Sequence, residues 1–281
     1  MDYPQNFIIF LHIHKCAGLS FKRLLRKEFG PTFIDRIKNR LGGQRPQPLL
    51  AALKCSSHKD GYFAGHFGFG VHEHLPSPAK YVTFLRDPIK RLISLYEYSR
   101  STPRSFYFEQ ARHRTFEEFV QGGAVFETDN GMVRFLIGDL DKVDYYICRK
   151  PFGSLTDADL QTAISNFKKF FAIPGITEQF DRSLLLLKSE LGLASVKYLR
   201  LNERTPSDCV ETKWNTELEP FVALDRKLYQ WALNQNERSW DGLLRECPSA
   251  ITEFQLINEK YRRFRQRPYD FYFRLRNKLY L

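Results

Sequence analysis

The chain has 281 residues, 43% hydrophobic and 27% charged, enough apolar material for a full core and far from the composition of a disordered chain. Lys and Arg outnumber Asp and Glu by 43 to 32, a formal charge of +11, so the expected partners are anionic: a phosphorylated cofactor, an acidic glycan, a membrane surface or nucleic acid. Five scattered cysteines without a C-x-x-C pair read as reduced thiols, and no metal site is expected.

The first element is the apolar run Phe7-Ile8-Ile9-Phe10-Leu11, which reads as a buried strand. It gives way to His12-Ile13-His14-Lys15-Cys16-Ala17-Gly18-Leu19-Ser20, after which the apolar spacing through Phe21, Leu24 and Leu25 becomes helical. A helix over residues 18–29 is expected, stopped by Gly30-Pro31. The first amides of such a helix have no intrahelical partner and carry the positive end of its dipole. Lys15 adds a full charge, Ala17 and Gly18 permit close approach, and the Ser20 hydroxyl is a further donor. The order is wrong for a Walker A loop, because Lys15 precedes Gly18 and no glycine opens the turn. By itself the stretch is either a phosphate cradle or a plain strand-to-helix turn.

Residues 33–59 form a basic helix-and-loop insertion interrupted by Gly42-Gly43 and by Pro46 and Pro48. Residues 62–70 read as a strand emptying into a glycine-rich loop. His66, at that strand end, is a candidate general base because imidazole titrates near neutral pH; a core histidine satisfied by a backbone carbonyl is the alternative. His72 and His74 belong to a surface loop, and His14 is a reserve candidate for the base or for acceptor contact. Lys80-Tyr81-Val82-Thr83-Phe84-Leu85 is the next buried strand, with a helix over 86–99 entered through Asp87 as N-cap and Pro88 in its first turn. Arg86 then stands at the carboxyl end of a strand, where open α/β sheets bind ligands, and Ser94 lies about two turns further along the helix.

Residues 100–114 are basic and aromatic, suited to an acceptor cleft or to an exposed linker. Thr115 and Glu118 form a capping box for a short helix stopped by Gly122-Gly123. Helices follow over 130–136 and 156–167, then a strand over 169–173, a helix over 178–191 and a last strand over 196–201 that leads to Asn202 and Arg204. Two long helices are expected over 216–236 and 249–267. From residue 260 onward eight Lys and Arg face one acid, Asp270, among interleaved aromatic residues. That tail suits core packing with a solvated basic edge, or peripheral contact with an anionic membrane, a glycan or nucleic acid. No recognisable nucleic-acid-binding module supports the last, and nucleic acid is not expected as a partner.

Taken together, Lys15-Cys16-Ala17-Gly18-Leu19-Ser20 and Arg86-Asp87-Pro88 to Arg91, Ser94 and Tyr96 resemble the two nucleotide signatures of sulfotransferases that use 3′-phosphoadenosine-5′-phosphosulfate (PAPS). The branch most resembled is that of the carbohydrate sulfotransferases, including heparan and chondroitin-type enzymes and bacterial relatives. Asp129-Asn130-Gly131-Met132-Val133-Arg134-Phe135-Leu136-Ile137-Gly138 is similar to its N-x-x-x-R-[FY]-L-x-G segment, and Gly175-Ile176-Thr177-Glu178-Gln179-Phe180 to its G-x-x-E-x-F. Leu201-Asn202-Glu203-Arg204 and the stretch from Asp225 to Tyr229 resemble later elements. His14, Cys16 and Leu19 depart from the proline or glutamine, threonine, and threonine or serine usual there.

The resemblance implies an α/β, P-loop-like three-layer fold with a central, mainly parallel sheet flanked by helices, and a helical C-terminal extension. It implies one sulfotransferase domain over 1–281, with a core at 7–232 and the basic extension at 233–281. Lys15, Cys16, Ala17, Gly18, Leu19 and Ser20 would hold the 5′-phosphosulfate, and Arg86 and Ser94 the 3′-phosphate, with Arg204 a further candidate. His66 matches the Gly-His pair of uronyl 2-O-sulfotransferases, where that histidine is the proposed base. The expected acceptor is a hydroxyl, most plausibly of a glycan. With no leader peptide and no membrane span visible, the expected location is cytoplasmic, or the chain is an excised Golgi-type catalytic domain. A nucleotide or sugar kinase and a catalytically idle binding protein are the alternatives from other classes.

Overall fold

Strand β1 (Phe7–Leu11) is apolar at every position because it is covered on both faces, as a central parallel strand must be. The computed structural model describes residues 7–30, 33–34, 62–75, 78–138, 147–199 and 216–278. β1 pairs in parallel with β3 (Tyr62–Gly65) on one side and β4 (Ala79–Val82) on the other, and β2 (Phe33–Ile34) extends the sheet beyond β3, in the order β2-β3-β1-β4. A second parallel pair joins β5 (Phe84–Leu85) to β6 (Gly175–Ile176). The expected single strand over 80–85 is therefore split at Thr83. Its hydroxyl donates to the Leu11 carbonyl (2.7 Å) while its own carbonyl accepts from Gly175 N–H (3.1 Å), so the residue bridges two ladders.

Parallel strands need crossovers, and helices supply them. In chain order they are α1 (Gly18–Phe29), α2 (Pro88–Ser101), α3 (Phe108–Ala111), α4 (Phe116–Gln121), α5 (Gly131–Ile137), α6 (Asp157–Phe170), α7 (Phe180–Leu191), α8 (Glu219–Glu246) and α9 (Ala250–Lys278). The expected caps form. Asp87 Oδ1 accepts from Lys90 N–H (2.9 Å), and Thr115 and Glu118 exchange bonds of 3.2 and 2.8 Å. One apolar core packs the sheet against α1, α5, α6 and α7, and a second gathers Ile89, Leu92, Tyr96, Phe119 and Val222 around α2, α4 and α8.

Three expectations change. Residues 169–173 are not a strand: α6 continues through Phe170, because Leu160, Ala163 and Phe167 carry the helical apolar spacing that far, and only Phe171 makes an isolated bridge to Tyr81. Residues 196–199 form no ladder among the described residues; Tyr198 N–H donates instead to the Asn258 side-chain oxygen on α9 (2.9 Å). The last two helices run to Glu246 and Lys278, longer than the spacing predicted. Residues 200–201, Arg204 and the 35–59 part of the insertion lie outside the described residues. Among the described residues no helix is long and apolar enough to cross a membrane.

A buried layer of charge joins α2, α5 and α8. Asn130 adopts a left-handed φ of 48°, which Asn tolerates better than most residues, and its Oδ1 accepts from the Leu224 and Asp225 amides (2.9 and 3.1 Å). Asp225 in return accepts from the Met132 and Val133 amides (3.1 and 2.9 Å), capping α5 from another helix. Arg134 pairs with Asp129 and donates to the carbonyls of Asp129, Cys148 and Lys150. The N-x-x-x-R segment is thus a strut, and its charges do not point at a ligand.

Candidate active site

The carboxyl ends of β1, β3 and β5 bring the sequence-predicted residues together, where an α/β sheet places its ligands. Between β1 and α1 the chain turns through Lys15 (φ 66°) and Ala17 (φ 52°), both left-handed. Each costs on the order of 1 kcal/mol in a non-glycine residue, strain of the kind concentrated at ligand sites. The turn leaves the α1 N-terminus without a side-chain cap and without an acid in its first turn. Gly18 is required by packing: a Cβ there would lie 1.7 Å from His12 Nε2, so the His12 ring is the floor of the loop.

The loop side chains divide. Cys16 turns inward, its thiol pushed up to about 12 by burial, so it stays protonated and offers the site only its backbone. Leu19 faces outward, 48% exposed. The Ser20 hydroxyl points to the Leu199 carbonyl (3.5 Å), an intramolecular acceptor in place of the expected ligand. Lys15 keeps its charge at the surface of the loop, its Nζ 4.3 Å from the centre of the Tyr98 ring. Ser94 shares a helical face with Tyr98, one turn away, which turns that face of α2 toward the loop.

Arg86 meets the loop directly: its Nη1 donates to the Lys15 carbonyl (3.0 Å). Its Nε lies 3.9 Å from Glu178 Oε1, and the same oxygen accepts from the Asp87 amide (3.1 Å) while Oε2 accepts from the Tyr229 hydroxyl (2.8 Å). Glu178 therefore caps the start of α2 and braces Arg86, and does not cap its own helix. Segments some ninety and more residues apart in sequence close on one arginine.

Three histidines stack beside the loop. The His66 ring lies 4.1 Å from His12 and 3.6 Å from His14, the latter pair only 9° from parallel. His66 Nδ1 is 2.6 Å from the His12 carbonyl oxygen. A carbonyl only accepts, so Nδ1 carries the proton and Nε2 the lone pair. Burial, with His14 and His12 adding to it, holds His66 well below the ordinary imidazole range, so it is neutral at pH 7. His14 Nδ1 lies 2.7 Å from Oε1 of Glu127, a fully buried residue that the sequence reading did not single out. Tyr107 donates its hydroxyl to the same oxygen (2.8 Å), and Phe106, 48% exposed, packs edge-on against Tyr107 at 4.9 Å.

This stack has a consequence for stability. His12, like His66, is held well below its ordinary value, chiefly by burial. Both native histidines release protons that the unfolded chain, at about 6.5, still binds. Their contribution is present above about pH 6.5 and is lost as pH falls through the native values, at up to about 1.4 kcal/mol per pH unit for each. Calorimetric Tm is expected to fall steadily from pH 7 to pH 5, with a shallower slope in His66→Gln. A flat Tm across that range would show that the rings are not held neutral.

A parallel α/β sheet, an uncapped helix N-terminus flanked by lysine and arginine, and a neutral histidine beside it define an anion-binding group transferase. The galactose-3-O-sulfotransferase family model matches residues 2–270, and the chain belongs to that family. It is a sulfotransferase, and its family's acceptor is a carbohydrate hydroxyl. Among solved structures, a sulfotransferase from Alicyclobacillus acidocaldarius is similar at 17% identity and a TM-score of 0.42, covering 82% of this chain and 97% of that one. A search of curated proteins finds no match.

Proposed function

We propose that the protein moves a sulfuryl group from PAPS to a galactoside or related glycan hydroxyl, with His66 as general base. The observation that carries this reading is the uncapped α1 N-terminus beside Lys15, linked through the Lys15 carbonyl to Arg86, with His66 stacked on His14 of the same loop. The α1 amides and Lys15 suit a 5′-phosphosulfate, and Arg86 with Ser94 suits a 3′-phosphate. When bound, the donor supplies the sulfuryl group, its S–O bond to the 5′-phosphate breaking as the acceptor oxygen bonds to sulfur. Lys15 and the backbone from Ala17 to Ser20 hold the negative charge gained on the phosphate side. His66 Nε2 takes the acceptor's proton while the His12 carbonyl fixes the ring. Exposed Phe106, with Arg100 and Arg104 nearby in sequence, offers an aromatic face for a sugar ring and charge for an acidic one.

Calorimetric titration with adenosine 3′,5′-bisphosphate, beside 5′-AMP and ATP, tests the donor assignment. The bisphosphate is expected to bind more tightly than 5′-AMP, and Arg86→Ala to weaken it by about 1.5–3 kcal/mol, tenfold or more in Kd, with a smaller effect on 5′-AMP. Equal affinity for bisphosphate and 5′-AMP would remove the 3′-phosphate site and favour a kinase or an idle binding protein. A second reading gives the base role to His14, because a buried carboxylate faces its ring. Turnover of His14→Ala beside His66→Ala separates the two.

A further inference from the structure

Glu127 is the one carboxylate whose oxygen touches a histidine of the loop among the described contacts, and nothing in the sulfuryl-transfer scheme above uses it. Burying a carboxylate is costly unless its oxygens are satisfied, so the direction in which it points is informative. Two donors converge on Oε1: His14 Nδ1 at 2.7 Å and the Tyr107 hydroxyl at 2.8 Å. Arg91, the buried cation beside it, holds Glu127 mainly by the backbone. Its Nη2 donates to the Glu127 carbonyl at 2.7 Å and lies 3.6 Å from Asp225, while Nη1 is 3.8 Å from Oε2. A glutamate kept only to neutralise Arg91 would aim its carboxylate there. This one gives its shortest contact to His14.

We infer that Glu127 is a positioning carboxylate for His14: it holds the proton on Nδ1, fixes the ring plane and leaves Nε2 as the proton-accepting nitrogen. Its catalytic meaning rests on the sulfuryl-transfer reading, since His14 belongs to the donor loop. The ring has little freedom to escape. It is stacked on His66 at 3.6 Å and bordered by Tyr107 at 6.4 Å and Phe135 at 6.1 Å, so rotating it breaks either the stack or the bond to Glu127. The charged and titratable neighbours are Lys15 in the loop, His12 on β1, His66 beyond β3, Tyr107 before α3, Arg91 on α2 and Glu127 itself, and Glu127 is the only anion among them. Tyr107 holds the carboxylate in place from the other side, which makes it a second lever on the same ring.

Long-range ¹H–¹⁵N spectra of the histidine rings test this without any substrate, with His14 assigned through His14→Asn. At neutral pH the wild-type ring is expected to show a protonated Nδ1 and an unprotonated Nε2. Glu127→Gln, whose amide can present N–H to Nδ1, is expected to raise the Nε2–H tautomer. Tyr107→Phe should move it the same way by less, and Glu127→Asp should recover part of the wild-type pattern. In turnover of a galactoside, Glu127→Gln is expected to lower kcat at least about tenfold and to reshape its pH profile, with the bisphosphate Kd little changed. A wild-type His14 in the Nε2–H form overturns the inference. So does a Glu127→Gln protein that loses only Tm and keeps its tautomer, kcat and pH profile. If the Gln variant does not fold, the wild-type tautomer and the Tyr107→Phe shift decide. A ring in the expected tautomer in a protein that sulfates no acceptor would sustain the role of Glu127 and overturn the reaction instead.

Discussion

His66→Ala is expected to lower kcat by about 10²- to 10⁴-fold while adenosine 3′,5′-bisphosphate binds within a few-fold of its wild-type affinity. The expectation follows from what His66 touches. Its ring is held at Nδ1 by a carbonyl oxygen 2.6 Å away and at its faces by His12 and His14, so one nitrogen keeps a lone pair in a fixed direction. The α1 amides and Arg86, which are assigned to the donor, touch neither His66 nitrogen in these contacts, so the binding readout and the rate readout separate. The pH dependence is a second check. A base held below the ordinary imidazole range stays unprotonated into mildly acidic solution, so the acid limb of kcat/KM should fall below about 6.5 and vanish in the variant. Single-turnover rates with a galactoside acceptor measure both. A variant within tenfold of wild type, beside an inactive His14→Ala, would assign the proton transfer to His14.

The strand–loop–helix at Phe7 to Phe29 was legible because its signals are local: an apolar run, a small-residue turn and a helical period, all within one stretch. Asp87 and Pro88 likewise announced the start of α2. What the sequence left hidden is set by contacts between distant segments. Glu127 stands between two short turns with no pattern of its own, and only the fold brings it under His14. Ser20 read as a ligand donor because hydroxyls near helix starts often are, yet the chain supplies an acceptor at Leu199. Cys16 read as part of the cradle, and packing turns it into the core. The strand expected at 169–173 lost to a helix because Leu160, Ala163 and Phe167 impose their period to the end of α6, and a short apolar run does not by itself distinguish the two.

The segments matched around Asn130 and Asp225 carry the other large effect, and it falls on stability. Asp225→Ala is expected to destabilise the fold by about 3–5 kcal/mol, because truncating one member of a buried charged set strands the rest. Arg91, wholly buried, would lose the carboxylate 3.6 Å from Nη2, and the Met132 and Val133 amides would lose their acceptors at the start of α5. Burial pushes the Asp225 carboxyl up from its ordinary range while Arg91 and those two amides pull it back, so the site tolerates a neutral acceptor better than an empty space. Asp225→Asn, which keeps one side-chain oxygen for an α5 amide, should therefore cost clearly less than Ala. Urea titration is expected to show a lower midpoint at unchanged m for both variants, in that order. A loss below about 1 kcal/mol for Ala would mean that Arg91 is stabilised elsewhere. The likeliest substitute on geometric grounds is Glu127, whose Oε2 is already 3.8 Å from Nη1. A guanidinium drawn toward Glu127 would compete with His14 for that carboxylate, so a stable Asp225→Ala protein should show a disturbed His14 tautomer. Stability and the proton-handling ring are then two readings of one buried charge layer.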